Sequence, residues 1–328
     1  MGEFDPRLAA RTYAAADHDW HIDAAMSEIS VQFALDPSKY IAPMILPTVP
    51  VGKQSDRYYI WEKADWFRIP NTVRARGTAP REVEMSVSSA GYYATNYMLA
   101  EKIPFEDLSN ADMALALEEN ATRHLMQILM LDQEYRIGTL LTTATNAGSG
   151  TTLTGDNQWS SGETSTPISD VSTGKAWMRM ETGFEPNTMI VGAQVHDALR
   201  LHPDIIDRIK YVQRTTQATI DAALADIFGV QRYLVGSAIR SSGEEGQKAS
   251  MAYIWGKTVT LAYVTPTPGL NTPTAGYMFR WKPEGFTDFV VETKDDDNVK
   301  ARMKRCGYFQ DEKIVAKELL YNIATVVA

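Results

Sequence analysis

The chain has 328 residues, is 44% hydrophobic and 22% charged, and carries a formal net charge of −9. That is enough chain for two cores, or for one core with long extensions, and the acidic balance argues against non-specific nucleic-acid binding, which needs clustered Lys and Arg. Cys306 is the one cysteine, so an intramolecular disulfide and a Cys-rich metal site are excluded.

No stretch of about 18 apolar residues marks a membrane span, and the N-terminal MGEFDPRLAARTY lacks the apolar core of a signal peptide. The expected site of synthesis and residence is the cytosol. The first fifty residues read as an arm, punctuated by Pro37, Pro43, Pro47 and Pro50, which a helix interior does not accept. Between them lies an apolar segment, in which Tyr40, Ile41, Met44, Ile45 and Leu46 need cover from the chain's own fold or from a neighbour. Upstream, Ile22, Met26 and Ile29 predict a short amphipathic helix within Asp19 to Val31.

Tyr58-Tyr-Ile-Trp-Glu62 is aromatic and β-branched and predicts a strand. The pattern returns at Val83 to Val87 and at Gly91 to Tyr97. Between them, Arg68 to Arg81 is polar, holds Arg68, Arg74, Arg76 and Arg81, and has no acidic residue. Tyr58 to Lys102 therefore predicts a long two-stranded excursion with a basic tip. Such a ribbon is marginal in water unless it lies on something.

Ser109-Asn-Ala-Asp112 has capping-box form. Met113, Leu117, Ala121, Leu125, Ile128, Leu131 and Tyr135 follow as a helical stripe, widened by Met126, Leu129, Met130, Ile137, Leu140 and Leu141. The helix is predicted to run to about Leu141, roughly 30 residues or about 45 Å. Its stripe lacks the flanking charges of a coiled coil. Thr142 to Thr166 is a Gly/Ser/Thr/Asn loop. Ser169 to Glu181 predicts a helix packed through Val171, Ala176, Trp177 and Met180.

Strands and helices then alternate as in an α/β unit. A strand ends at Gly192, helices cover Ala193 to Leu201, Pro203 to Tyr211 and Thr219 to Phe228 (stopped by Gly229), and strands follow at Arg232 to Val235, Met251 to Trp255 and Thr258 to Val264. Thr265 to Pro273 is a Pro-rich connector. Tyr277 to Trp281, Thr287 to Thr293, Lys300 to Phe309 and Lys313 to Ile323 predict strands that pack on the long helix.

This order (arm, β excursion, very long helix, α/β insert, returning strands) resembles the major capsid proteins of tailed double-stranded DNA phages, whose fold is shared with encapsulins. Local texture agrees. Pro186-Asn-Thr-Met-Ile-Val-Gly-Ala-Gln-Val-His-Asp-Ala-Leu199 looks like the entry to the family's axial domain, Ile227-Phe-Gly-Val230 is similar to its helix-to-strand turn, and Gly307-Tyr-Phe309 precedes a last strand. The resemblance covers nearly the whole chain and implies an α+β, HK-ninety-seven-like fold. Its parts would be an N-terminal arm (1–54), an extended loop (55–103), a peripheral domain with a spine helix (104–186), an axial domain (187–272) and returning peripheral strands (273–328).

The resemblance further implies self-assembly as hexamers and pentamers into an icosahedral virion shell, built in the host cytoplasm around double-stranded DNA without sequence-specific binding. It implies a separate scaffolding protein, a portal and decoration proteins as partners, with no enzyme activity, cofactor, metal or membrane. The stretch Trp66 to Ser89 has arginines and no lysine, which departs from family members that cross-link through a lysine there. The rival readings are an encapsulin-like compartment with protein cargo and a soluble α/β enzyme.

The arginines Arg68, Arg74, Arg76 and Arg81 read as an intersubunit contact, since Arg–carboxylate pairs are directional. The acidic partner chosen is Asp295, Asp296 and Asp297, against the plainer reading of a solvated loop. Asp295-Asp-Asp-Asn298 lacks the Gly and Glu of a calcium loop. His18 and His21 lack a third metal ligand, and Gly148-Ser-Gly-Thr-Thr152 lacks the Lys-Ser/Thr pair of a phosphate loop. No nucleophile elbow occurs, His196 and His202 read as structural, and Cys306 as a packed thiol.

Overall fold

The computed structural model describes residues 21–22, 40–61, 63–110, 114–162, 164–209, 217–243, 248, 250–269, 272–283 and 289–328. Two sheets share one long helix. In the first sheet β14 (Ala301–Ile314) is the axis. β5 (Thr95–Pro104) pairs antiparallel along one edge, while β13 (Val290–Asp296) and then β12 (Gly276–Trp281) pair along the other. β2 (Thr48–Val51) lies parallel to β12, and β1 (His21–Ile22) is antiparallel to β13. His21 and Ile22 are thus strand and not part of the expected amphipathic helix; the rest of Asp19 to Val31 lies outside the described residues.

The second sheet runs β6 (Ser149–Thr152), β15 (Leu320–Ala324), β11 (Val259–Ala262), β7 (Thr188–Gly192), β8 (Arg232–Gly236). Its outer pairs are parallel and its inner pairs antiparallel. Helices α5 (Pro167–Thr182), α6 (Ala193–Leu201), α7 (Pro203–Ile209) and α8 (Gln217–Phe228) accompany it. Gly229 stops α8 at φ +61, a left-handed turn that a Cβ would resist. A short ribbon, β9 (Ile239–Ser241) with β10 (Met251–Tyr253), follows β8. β6, in the second sheet, and α5, packed against it, both precede residue 187.

Two strand boundaries differ from expectation. The excursion was expected to reach Lys102, yet β5 joins the first sheet, since Tyr97 packs on Tyr308 and Arg136 stacks over the Tyr97 ring at 3.6 Å. The polar run Gln310-Asp-Glu312 does not end β14, because each side chain is satisfied. Gln310 accepts from Gln133, Asp311 accepts the Tyr93 N–H, and Glu312 pairs with Arg136. The break falls at residues 315–319, and β15 crosses to the second sheet.

The spine helix, α4 (Ala114–Thr142), matches the length expected from its stripe. Its buried face is Ala121, Thr122, Leu125, Met126, Leu129, Met130, Gln133, Glu134, Ile137, Gly138 and Leu141. Ile128 and Tyr135, placed on the stripe by spacing, are exposed. Leu125, Met126, Leu129 and Met130 join Tyr40, Val291, Cys306 and Tyr308 in one core; Ile137 and Leu141 join the second sheet in another. In α5, Val171, Gly174 and Met178 face inward while Met180 and Ala176 are exposed, so the predicted face was rotated. Gly174 is required there, since a Cβ would sit 2.7 Å from the Tyr321 ring.

Gly236, closing β8, has the indole of Trp255 against its Cα: a Cβ would lie 2.1 Å from Trp255 Cδ1. The indole cannot retreat, because its N–H is bonded to Glu134. We expect Gly236→Ala to cost about 2–3 kcal/mol, the upper part of the overpacking range, read as a lowered midpoint in urea unfolding.

Candidate assembly surfaces

A surface that one chain cannot cover is the feature to seek, and the arm segment is not one. Tyr40, Ile41, Ile45 and Leu46 are buried by their own chain and Met44 partly so, so of the two sources of cover the sequence leaves open, the chain's own fold supplies it. The reason is local. The helix α1 (Ala42–Ile45) has its first amides taken by the buried Glu134 carboxylate, with Ala42 N at 2.8 Å and Ile41 N at 3.3 Å. The Met44 carbonyl accepts from Arg232 at 3.0 Å and the Gln127 carbonyl accepts from Tyr40.

The extension is the opposite case. β3 (Ser55–Trp61) pairs with β4 (Val87–Tyr93), and the tip between them holds the short helix α2 (Lys63–Phe67) and a stretch without regular structure. Asp65 accepts the Ser86 N–H at 2.7 Å, which ties the two sides of the tip together and holds the Asp65 carboxyl below its usual range. The tip presents Trp66, Phe67, Ile69, Val73, Val83 and Met85 to solvent, Ile69 at 94% and Val73 at 86% of full exposure. Scattered exposed apolar residues are ordinary; a run of them on one appendage marks a contact surface.

Arg68, Arg74, Arg76 and Arg81 are all exposed on the same tip, and none has a carboxylate within 4 Å among the described residues. The extension touches its own body mainly at the root. Phe279 of β12 is stacked between Tyr58 (5.2 Å) and Tyr92 (4.7 Å), with one exposed pair, Lys63 to Glu181, further out. Phe279→Ala should cost about 3 kcal/mol and make the root, residues 52–58, the first site of limited proteolysis.

The chosen acidic partner is partly committed elsewhere. Asp295 takes a two-pronged pair from Arg302 at 2.7 and 3.1 Å, and Asp297 is 3.2 Å from Lys300. Asp296 caps the Asn298 N–H within the turn. The bond from Phe105 N to Lys300 O (3.0 Å) sets α3 (Phe105–Asn110) beside that turn, bringing Glu106 and Asp107 to the same corner. Spacing could not show this, since the corner joins segments about 190 residues apart in sequence.

His196 and His202 are each held by hydrogen bonds within the fold. The Asp204 N–H donates to His202 Nδ1 at 3.2 Å, so Nε2 carries the proton and donates to Ser165 Oγ at 3.0 Å. That is the reverse of what a serine's general base requires. His196 lies buried against Tyr233 OH (3.0 Å) and Asp221 (3.5 Å); burial lowers its pKa despite Asp221. Cys306 is buried and its thiol is pushed up to about 12 by desolvation, so it is inert. Among the described residues no group of His, Cys, Asp and Glu could hold a metal, and no helix is long and apolar enough to cross a membrane.

No family model matches the chain. It is 27% identical over 313 residues to the major capsid protein of Pseudomonas phage JBD67, covering 94% of this chain and 97% of that one. It is 26% identical over 278 residues to the major capsid protein of Burkholderia phage BcepMu, covering 83% and 87%. Among solved structures, a phage-related protein from Bordetella bronchiseptica RB50 superposes with a TM-score of 0.71 at 22% identity, over 93% of this chain and 97% of that one. The capsid of cyanophage P-SCSP1u superposes with a TM-score of 0.53 at 10% identity, over 85% of each chain. By sequence along nearly its whole length the chain is similar to phage major capsid proteins, and its α+β fold of two sheets on one spine helix is the fold of phage capsid structures.

Proposed function

We propose that this chain is the shell-forming subunit of a phage head, closing into hexamers and pentamers around double-stranded DNA and residing in the virion. The observation that carries this reading is the extension: a β ribbon whose apolar and arginine-bearing tip finds no cover among the described residues of its own chain. Head-to-tail burial of one patch against a different one closes rings when the rotation permits, and apolar burial contributes roughly 25 cal/mol per Å² before association costs. The first sheet with the spine helix then serves as the peripheral domain and the second sheet as the axial domain.

The tip arginines fit the acidic corner of Glu106, Asp107, Asp296 and Asp297 on the next copy. Arg68 and Arg81 flank the contact, and Asp295 serves mainly its own Arg302. A separate scaffolding protein, a portal and decoration proteins complete the list of partners, and the role is structural, with no enzymatic step. The test is sedimentation and electron microscopy of the purified chain, alone and with its phage's other head proteins. Capsomers or shells are expected, with nuclease-protected DNA in native particles. A chain that stays monomeric under every condition overturns the reading, and shells filled with protein and free of DNA assign it to a compartment.

A further inference from the structure

Between the two cores the spine helix has a polar waist. Met130 is the last fully buried spine residue of the first core and Ile137 the first of the second. Glu134, only 1% exposed, sits between them and accepts three hydrogen bonds: Oε2 from Ala42 N (2.8 Å), Oε1 from Trp255 Nε1 (2.6 Å) and from Ile41 N (3.3 Å). These donors come from the arm segment and from the crossover between β10 and β11. No cation pairs with Glu134 among the described residues.

The charged and titratable groups nearby are turned elsewhere. On its own helix Arg136 serves Asp132, Glu312 and Tyr308. Arg232 of β8 serves the Met44 carbonyl, and Lys257 beyond the crossover serves the Ala328 carbonyl. Tyr40 of the arm faces Glu134 and its own pKa is raised, by burial and then by the Glu134 charge.

We propose that Glu134 is a titratable latch: its charge state sets how firmly the arm segment 40–46 and the Trp255 crossover are docked together on the spine. Docking the arm removes the carboxylate from water and supplies only neutral N–H donors in return. Desolvation outweighs the three bonds and raises the carboxyl pKa in the docked state. With the arm lifted, water reaches the carboxyl and its pKa falls back toward the ordinary 4.5. A proton therefore binds the docked state more tightly, so docking is firmest in acid. It weakens as pH rises from 4.5 through the docked pKa, by up to tenfold per pH unit within that window.

The experiment is hydrogen–deuterium exchange of the purified full chain between pH 5 and 8, corrected for intrinsic exchange and read on peptides covering residues 40–46. In the wild-type chain, protection should fall with pH, up to tenfold per unit, while β14 peptides stay flat. Glu134→Gln is uncharged at every pH, so its protection of 40–46 should be independent of pH. Trp255→Phe removes one donor to the carboxylate, raises the docked pKa further and should move the window to higher pH. A flat wild-type profile, or an equal slope in Glu134→Gln, overturns the proposal. If Glu134→Gln fails to fold, an unmoved window in Trp255→Phe overturns it alone.

Discussion

Arg74→Glu combined with Arg76→Glu is expected to stop shell assembly while leaving the folded subunit intact. The tip from Trp66 to Arg81 carries four arginines and no acid, so the two reversals take its local charge from four positive to neutral. The side chains are exposed, and surface substitutions of that kind change stability by no more than about 0.5 kcal/mol. The melting temperature of the free subunit should therefore hold. Each exposed pair contributes only about 0–1 kcal/mol, but placing like charges together at a contact costs several kcal/mol, and a shell repeats that cost at every subunit. Sedimentation should show capsomers or monomers and no shells. Normal shells from the double variant would remove the arginine tip from assembly. Adding Glu106→Arg and Asp107→Arg to the same chain should restore shells; if it does not, the tip docks on another surface.

Lys304→Met is expected to be the most destabilising single change to the fold, by about 3–5 kcal/mol, the cost of breaking a buried pair by removing one partner. Lys304 is 1% exposed and lies 2.7 Å from Glu118 Oε2, while Arg302 lies 2.7 Å from Glu118 Oε1 and continues to Asp295. This chain of charges fastens the start of the spine helix to β14 and β13. Burial pushes the Glu118 carboxyl up, but hydrogen bonds and charge from Lys304 and Arg302 outweigh it and hold it below the usual 4.5. Asp295 is held below 3.8, chiefly by Arg302. Carboxyls depressed in the folded state stabilise it above their unfolded pKa, and that stability is lost as pH falls. Urea midpoints should therefore drop as pH falls below about 4.5 in the wild-type chain, and less steeply in Lys304→Met, whose Glu118 has lost one cation. A Lys304→Met midpoint equal to wild type would show that the pair does not hold the helix to the sheet.

Much of the fold was legible because local pattern and tertiary structure agree. The spine helix, the α/β alternation, the Gly229 stop and the exposed arginine tip all follow from spacing and turn chemistry. The rest depended on partners distant in sequence. Glu134 and Gln133 look like solvent positions in a hydrophobicity stripe, yet both are buried because Trp255, the arm amides and Gln310 satisfy them. Gly138 looks like a weak point in a helix, but a Cβ there would sit 2.8 Å from Ile254. The cover of the arm segment stays open in the sequence, between its own fold and a neighbour, because its capping carboxylate lies about ninety residues away. Glu106 and Asp107 enter the proposed contact only through the Phe105 N–H bond to the Lys300 carbonyl, which sets their helix beside the turn that holds Asp296.

The root of the extension has a mechanical consequence. Its grip on the body joins the stacked rings of Tyr58, Phe279 and Tyr92 to one directed bond, from the Tyr93 N–H to the Asp311 carboxylate. In the shell proposed above, a change of slope at this narrow root is what would let one polypeptide reach neighbours that stand at different inclinations.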